Sequence, residues 1–145
     1  MTTTDRTRRD GAKRYTGVGI AVGYEARRCL HAAECVRGLP DVFDVERRPW
    51  IVLGETDPDR IAVVIARCPS GALQYHRTDG GPNEEAPNPT EVTVRENGIV
   101  HLRGDLRIKT PAGVRSETRV MLCGCGRTEH IPYCDHTGNA CANVT

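Results

Sequence analysis

The sequence predicts an α+β chain in two parts, the first mixing strands with one clear helix and the second built almost entirely of strands. Three observations predict it. A capped amphipathic segment begins at Asp57-Pro58, period-two alternation of apolar residues lies on both sides of it, and the stretch 79–89 (DGGPNEEAPNP) has turn-forming residues without apolar periodicity. That stretch reads as a linker. It separates a polar, flexible tail (1–13) and a first module (14–78) from a second module (90–145).

In the first module, Gly17 to Tyr24 alternates Val18, Ile20, Val22 and Tyr24 with small residues, as a half-buried strand does. A short helical turn is expected around 32–37 and a strand at Trp50 to Leu53. Asp57 then supplies an N-cap and Pro58 the first helical position, and Ile61, Val64 and Ile65 fall on one face. The helix should end near Cys68-Pro69, with a closing strand at Ala72 to Tyr75. The second module reads as strands at 91–95, 99–108 and 118–122. Asn97-Gly98 gives a hairpin signal between the first two, and a turn through Pro111 and Gly113 precedes the third.

Composition narrows the function. With 38% hydrophobic residues, one Phe and one Trp, two separate modules would each have a thin core, the situation in which small domains use metals, disulfides or oligomerisation. A formal charge of +1 and a pI near 7.6 give no general attraction to nucleic acid or anionic membrane. The basic, polar N-terminus has no apolar signal core and no segment approaches a membrane span, so a cytoplasmic protein is expected. Seven cysteines in a reducing compartment favour ligands over disulfides. No Ser/His/Asp signature, phosphate-binding glycine loop or HExxH motif points to an enzyme.

The first cysteine group is Cys29 and Cys35 in CLHAAEC, and Cys68 in CPSGAL after the helix. A tight loop plus one distant cysteine followed by proline is the layout that brings thiolates to an iron-sulfur cluster. Ordinary buried thiols would be the simpler reading, but the Cys-Pro placement argues against it. From about Arg14 to Arg77, the stretch CLHAAECVRGLPDVFDV…CPSGALQY resembles a single-cluster bacterial ferredoxin, more closely a divergent 4Fe-4S mono-cluster module reading C-x5-C and then a late Cys-Pro. The resemblance implies a ferredoxin-like module. Relatives carry a further cysteine where this chain has Ala32. Three thiolates alone suit a 3Fe-4S cluster, whereas a 4Fe-4S cluster needs a substitute. His31 is the nearby candidate, since imidazole binds iron; an exposed loop histidine is the competing reading.

The second group is Cys123, Cys125 and Cys134 in CGCGRTEHIPYCD, where CxC sets two thiolates close together and Gly124 and Gly126 let the backbone wrap a ligand. This segment resembles the CDGSH, or NEET, iron-sulfur family, whose pattern C-x-C-x2-[ST]-x3-P-x-C-D-G-x-H is matched by Thr128, Pro132, Cys134 and Asp135. The resemblance covers about Glu91 to Gly138 and implies a small, mostly-β module holding a 2Fe-2S cluster. The family's histidine ligand falls at Gly138 and its glycine at His136. The fourth ligand is thus His136, Cys141 or solvent, with His136 favoured because it lies inside the loop. Zinc is the competing metal, because three cysteines and a histidine also make a closed tetrahedral site.

The leading expectation is an electron carrier with two clusters, a 3Fe-4S or 4Fe-4S and a 2Fe-2S, working between redox partner proteins. Cluster storage, transfer or redox sensing is an alternative implied by the NEET resemblance, as is a homodimer. A structural zinc protein serving as an interaction module is a third.

Overall fold

The computed structural model describes residues 5–9, 11–96, 98–124, 128 and 131–134. Cys125, His136 and Cys141 lie outside the described residues, so the expectations placed on them stand as sequence readings. The chain divides into two compact units. One comprises Met1–Ala26, His31–Cys68 and Ala72–Glu84, and the other Arg27–Leu30, Pro69–Gly71 and Glu85–Thr145. The division is not a simple cut at the linker, because a short segment that contains Cys29 and another that follows Cys68 group with the second unit.

The first unit is α+β. Strands β1 (Lys13–Gly17) and β2 (Ile20–Tyr24) form an antiparallel hairpin, and β3 (Leu73–Arg77) pairs antiparallel with the other side of β2. The alternation from Gly17 to Tyr24 therefore spans a turn rather than one strand. Gly19 supplies its positive φ of 81°, which leaves Val18 65% exposed at the tip. Helix α1 (Glu34–Gly38) is one short turn. Helix α2 (Pro58–Ala66) starts where the sequence places it: the Asp57 carboxylate accepts the Asp59 amide at 2.9 Å, and Ile61, Val64 and Ile65 are buried.

The strand expected at Trp50 to Leu53 reduces to a single bridge between Phe43 and Ile51. Two bonds flank it, Asp44 N–H to Trp50 O at 2.9 Å and Val52 N–H to Val42 O at 3.0 Å. The intervening loop is held by Arg47, whose guanidinium donates to the carbonyls of Asp41, Val42, Pro49 and Trp50. Around this hairpin-like loop, Ile20, Val22, Leu39, Val42, Phe43, Ile51, Leu53, Ile61, Val64, Ile65 and Leu73 form one apolar core.

The second unit holds an antiparallel sheet of β4 (Glu91–Val94), β5 (Val100–Thr110) and β6 (Gly113–Leu122) in that order. All three expected strands are present, and the last begins five residues earlier than its alternation suggests. Thr110 closes the β5–β6 turn, its hydroxyl donating to Gly113 O at 2.8 Å and accepting from Ala112 N at 3.1 Å. Among the described residues the apolar cluster of this unit is small: Ile99, Met121 and Cys134, with Leu30 against them. No helix of the described residues is long and apolar enough to cross a membrane.

Candidate metal centre

The Cys29–Cys35 loop leaves a 3-10 turn at Ala26–Arg28 and enters α1 at Glu34. Within it, His31 (φ 58°) and Ala33 (φ 64°) are the two non-glycine residues with left-handed backbone among those described. Side chains with a Cβ avoid this region, so two in three residues mark a loop whose shape is held for a purpose. With Ala32 between them on the other side of φ, the chain reverses hand at each step. In general, backbone that alternates in hand can present successive amide N–H groups to an anion. A thiolate-bound iron-sulfur cluster is anionic, and its sulfurs accept amide hydrogen bonds. The donor set has the chemistry such a group requires, since Cys29, Cys35 and Cys68 are all thiols outside any disulfide.

Cys35 sits in the first turn of α1 and Cys68 just past α2, where its amide bonds to Ile65 O at 3.0 Å. The two helices meet at Gly38. A Cβ there would lie 2.8 Å from a Val64 methyl, so only glycine allows this approach. Cys35 and Cys68 consequently pack on the same apolar core. Both are half-buried thiols, as is Cys29, and none of the three is in a disulfide. Cys29 groups with the second compact unit, and His31 is exposed. Among the described residues no three His, Cys, Asp or Glu side chains stand close enough together to hold a metal.

At the second group, the chain after the cysteine loop returns beside β6. Leu122 and Tyr133 form an antiparallel bridge, Cys123 N–H donates to Pro132 O at 2.8 Å, and Cys134 N–H donates to Met121 O at 2.9 Å. Cys123 and Cys134 are thereby set on neighbouring segments, Cys123 half-buried and Cys134 buried against Ile99 and Met121. Gly124 lies so close to the Gly98 backbone that a side chain at Gly124 would overlap it, and this explains one glycine of the CGCG run. Thr128 braces the loop, its hydroxyl donating to Tyr133 O at 2.6 Å.

Sequence reasoning passed over the charged centre of this unit. Arg28 Nη1 lies 2.7 Å from Glu117 Oε2, with both side chains almost wholly buried, and Arg28 Nη2 donates to Ser70 O at 2.7 Å and Arg119 O at 3.2 Å. The Tyr133 hydroxyl donates to the same Glu117 oxygen at 3.2 Å, and the Arg28 guanidinium stands 4.4 Å over the Tyr133 ring. Burial, reinforced by the Glu117 carboxylate, pushes the Tyr133 hydroxyl up to about 12. No local pattern announces this network. The nearest signal is the Arg27-Arg28 pair before Cys29 and Tyr133 before Cys134.

Residues 15–78 match the family described as a divergent 4Fe-4S mono-cluster. The chain is also similar to an uncharacterized protein, YjdI, of Escherichia coli (strain K12), 43% identical over 72 residues that make up 49% of this chain and 95% of that protein. The protein of the same name from Escherichia coli O157:H7 matches with the same identity and coverage. No solved structure matches. The half-buried thiols of Cys29, Cys35 and Cys68 and the left-handed loop between the first two thus lie inside the matched span, and through it the chain belongs to the divergent 4Fe-4S mono-cluster family of small iron-sulfur proteins.

Proposed function

We propose that the protein is an electron carrier with two clusters, one at Cys29, Cys35 and Cys68 and a 2Fe-2S cluster in the CDGSH-type loop of Cys123, Cys125 and Cys134, with His136 as the favoured fourth ligand there. The observation that carries this reading is the match of residues 15–78 to the divergent 4Fe-4S mono-cluster family, a span that holds the three half-buried thiols of Cys29, Cys35 and Cys68 and the left-handed His31 and Ala33. A bound cluster supplies one-electron chemistry. The chain's own part is to hold the thiolates, to aim loop amides at the sulfurs, and to set burial, the levers by which a protein tunes potential.

With three cysteines and no cysteine at Ala32, a 3Fe-4S centre or a His31-completed 4Fe-4S centre satisfies the first site. The half-buried cysteines leave a short path to a redox partner protein, and the near-neutral charge fits recognition of a specific partner rather than of nucleic acid or membrane.

The test is an EPR-monitored redox titration of anaerobically purified full-length protein. Two reversible one-electron transitions, with Cys68→Ser removing one and Cys123→Ser the other, are the expected result. Clusters that cannot be reduced and reoxidised across the physiological range overturn the carrier role, and a single transition abolished by Cys68→Ser overturns the second cluster.

A further inference from the structure

The buried ion pair of the second unit is joined through the chain to two cysteines of the first group. Arg28 immediately precedes Cys29, and Ser70, whose carbonyl accepts from Arg28 at 2.7 Å, stands two residues after Cys68. Glu117, the carboxylate that holds Arg28 at 2.7 Å, belongs to β6, and so does Arg119, whose carbonyl also accepts from Arg28. One guanidinium therefore grips the chain on its way into Cys29 and on its way out from Cys68. Its own side chain is 1% exposed and that of Glu117 is fully buried. Gly71 completes the fit with a φ of 76°. Any side chain there would overlap both the Arg119 carbonyl and the Arg28 guanidinium.

Stability alone does not account for such a pair. A buried ion pair gains little over well-packed apolar residues of similar volume, because the desolvation of both charges opposes their attraction. What it supplies is direction. The planar guanidinium offers donors at fixed angles, and here Nη1 faces the Glu117 carboxylate while Nη2 donates to two backbone carbonyls.

We propose that Arg28 and Glu117 are positioning residues for the first cysteine site: the buried clasp fixes the backbone beside Cys29 and Cys68, so that retention of a cluster there depends on β6. The proposal rests on the cluster reading of that site. Residues next to metal ligands that orient them typically change metal affinity about 10–100-fold when replaced, and Arg28 and Ser70 stand in that relation to Cys29 and Cys68.

The experiment uses the anaerobically purified full-length protein and follows iron loss to a chelator together with the EPR signal of the first cluster. Arg28→Lys, which keeps the charge and loses the fork, and Glu117→Gln, which keeps the shape and loses the charge, are each expected to release iron about tenfold faster than wild type while keeping its far-UV spectrum. Asp59→Asn, on the exposed surface of α2, should release iron at the wild-type rate. In variants that still load, the first cluster's EPR line shape should change, which a loss of global stability leaves untouched. Folded single variants with wild-type release rates and line shape overturn the clasp. If a single variant fails to fold, Arg28→Met/Glu117→Leu leaves no buried charge; it is expected to fold and lose iron quickly, and wild-type retention in that double variant overturns the proposal. A wild-type protein without iron and sulfide overturns the cluster reading itself and the clasp with it.

Discussion

The two compact units bury different chemistry. The first is organised on eleven buried aliphatic and aromatic residues. In the second, the described apolar cluster is three residues, and Arg28, Ser70, Glu117, Thr118, Arg119 and Thr128 are also buried in this unit. An apolar core tolerates loss in proportion to the volume removed, whereas a polar one fails when a single partner goes, because the remaining group is left in a poorly solvating interior. The first unit should therefore degrade gradually under mutation and the second abruptly.

Trp50 makes the two separable. It is the only Trp and packs in the first unit against Tyr24 at 4.9 Å and Phe43 at 5.8 Å, so its fluorescence reports that unit, while hydrogen exchange of the β5–β6 amides reports the sheet of the second. The largest expected effect is on Glu117. Glu117→Leu leaves the Arg28 charge buried and should cost about 3–5 kcal/mol in the sheet transition under urea. Arg28→Met/Glu117→Leu should recover most of that loss. A double variant as unstable as the single one would mean that packing, not charge, dominates the centre of this unit.

Next comes the apolar core. Ile61→Ala should shift the Trp50 transition by about 2–5 kcal/mol and leave the sheet transition nearly in place. Equal shifts of both transitions would show that the units unfold as one. Asp57→Ala removes the N-cap of α2 and should cost about 1 kcal/mol in the same Trp50 transition; no change would mean that Pro58 alone starts the helix.

The smallest effect is a pH dependence. The Arg77 guanidinium, bonded to both oxygens of Asp79, and the Gly81 amide hold the Asp79 carboxyl at about 2, below its ordinary 3.8. A depressed carboxyl stabilises the fold fully above its unfolded value and loses that contribution as pH falls from 3.8 through about 2. Asp79→Asn should flatten the Trp50 stability profile within that window and nowhere else. An unchanged profile would show that solvent screens the exposed pair completely.

What was legible in the sequence was what local chemistry encodes. Asp57-Pro58 and the spacing of Ile61, Val64 and Ile65 gave α2, Gly98 sits in the β4–β5 turn with a φ of 87°, and the α+β character followed from alternation on both sides of the helix. The strand expected at Trp50 to Leu53 became a single bridge because its partner segment leaves room for two bonds before Arg47 pins the loop. Spacing grouped the cysteines as candidate ligands, and those described are thiols outside any disulfide. The shape of the Cys29–Cys35 loop was not legible, since alanine disfavours the left-handed backbone that Ala33 adopts and the enrichment of histidine there is too weak a signal to place His31 in it. Nor was the clasp, because Arg28 and the Arg119 carbonyl it bonds are 91 residues apart and no periodicity connects them.

The most direct test of the central claim is quantitative: iron, acid-labile sulfide and zinc per chain in anaerobically purified protein, with EPR, for wild type and for Cys35→Ser/Cys68→Ser. The expected result is a coloured wild-type protein with iron and sulfide in comparable amounts and the loss of one cluster's signal in the double variant. A colourless protein with stoichiometric zinc, or a double variant with its full wild-type iron and spectrum, would contradict it.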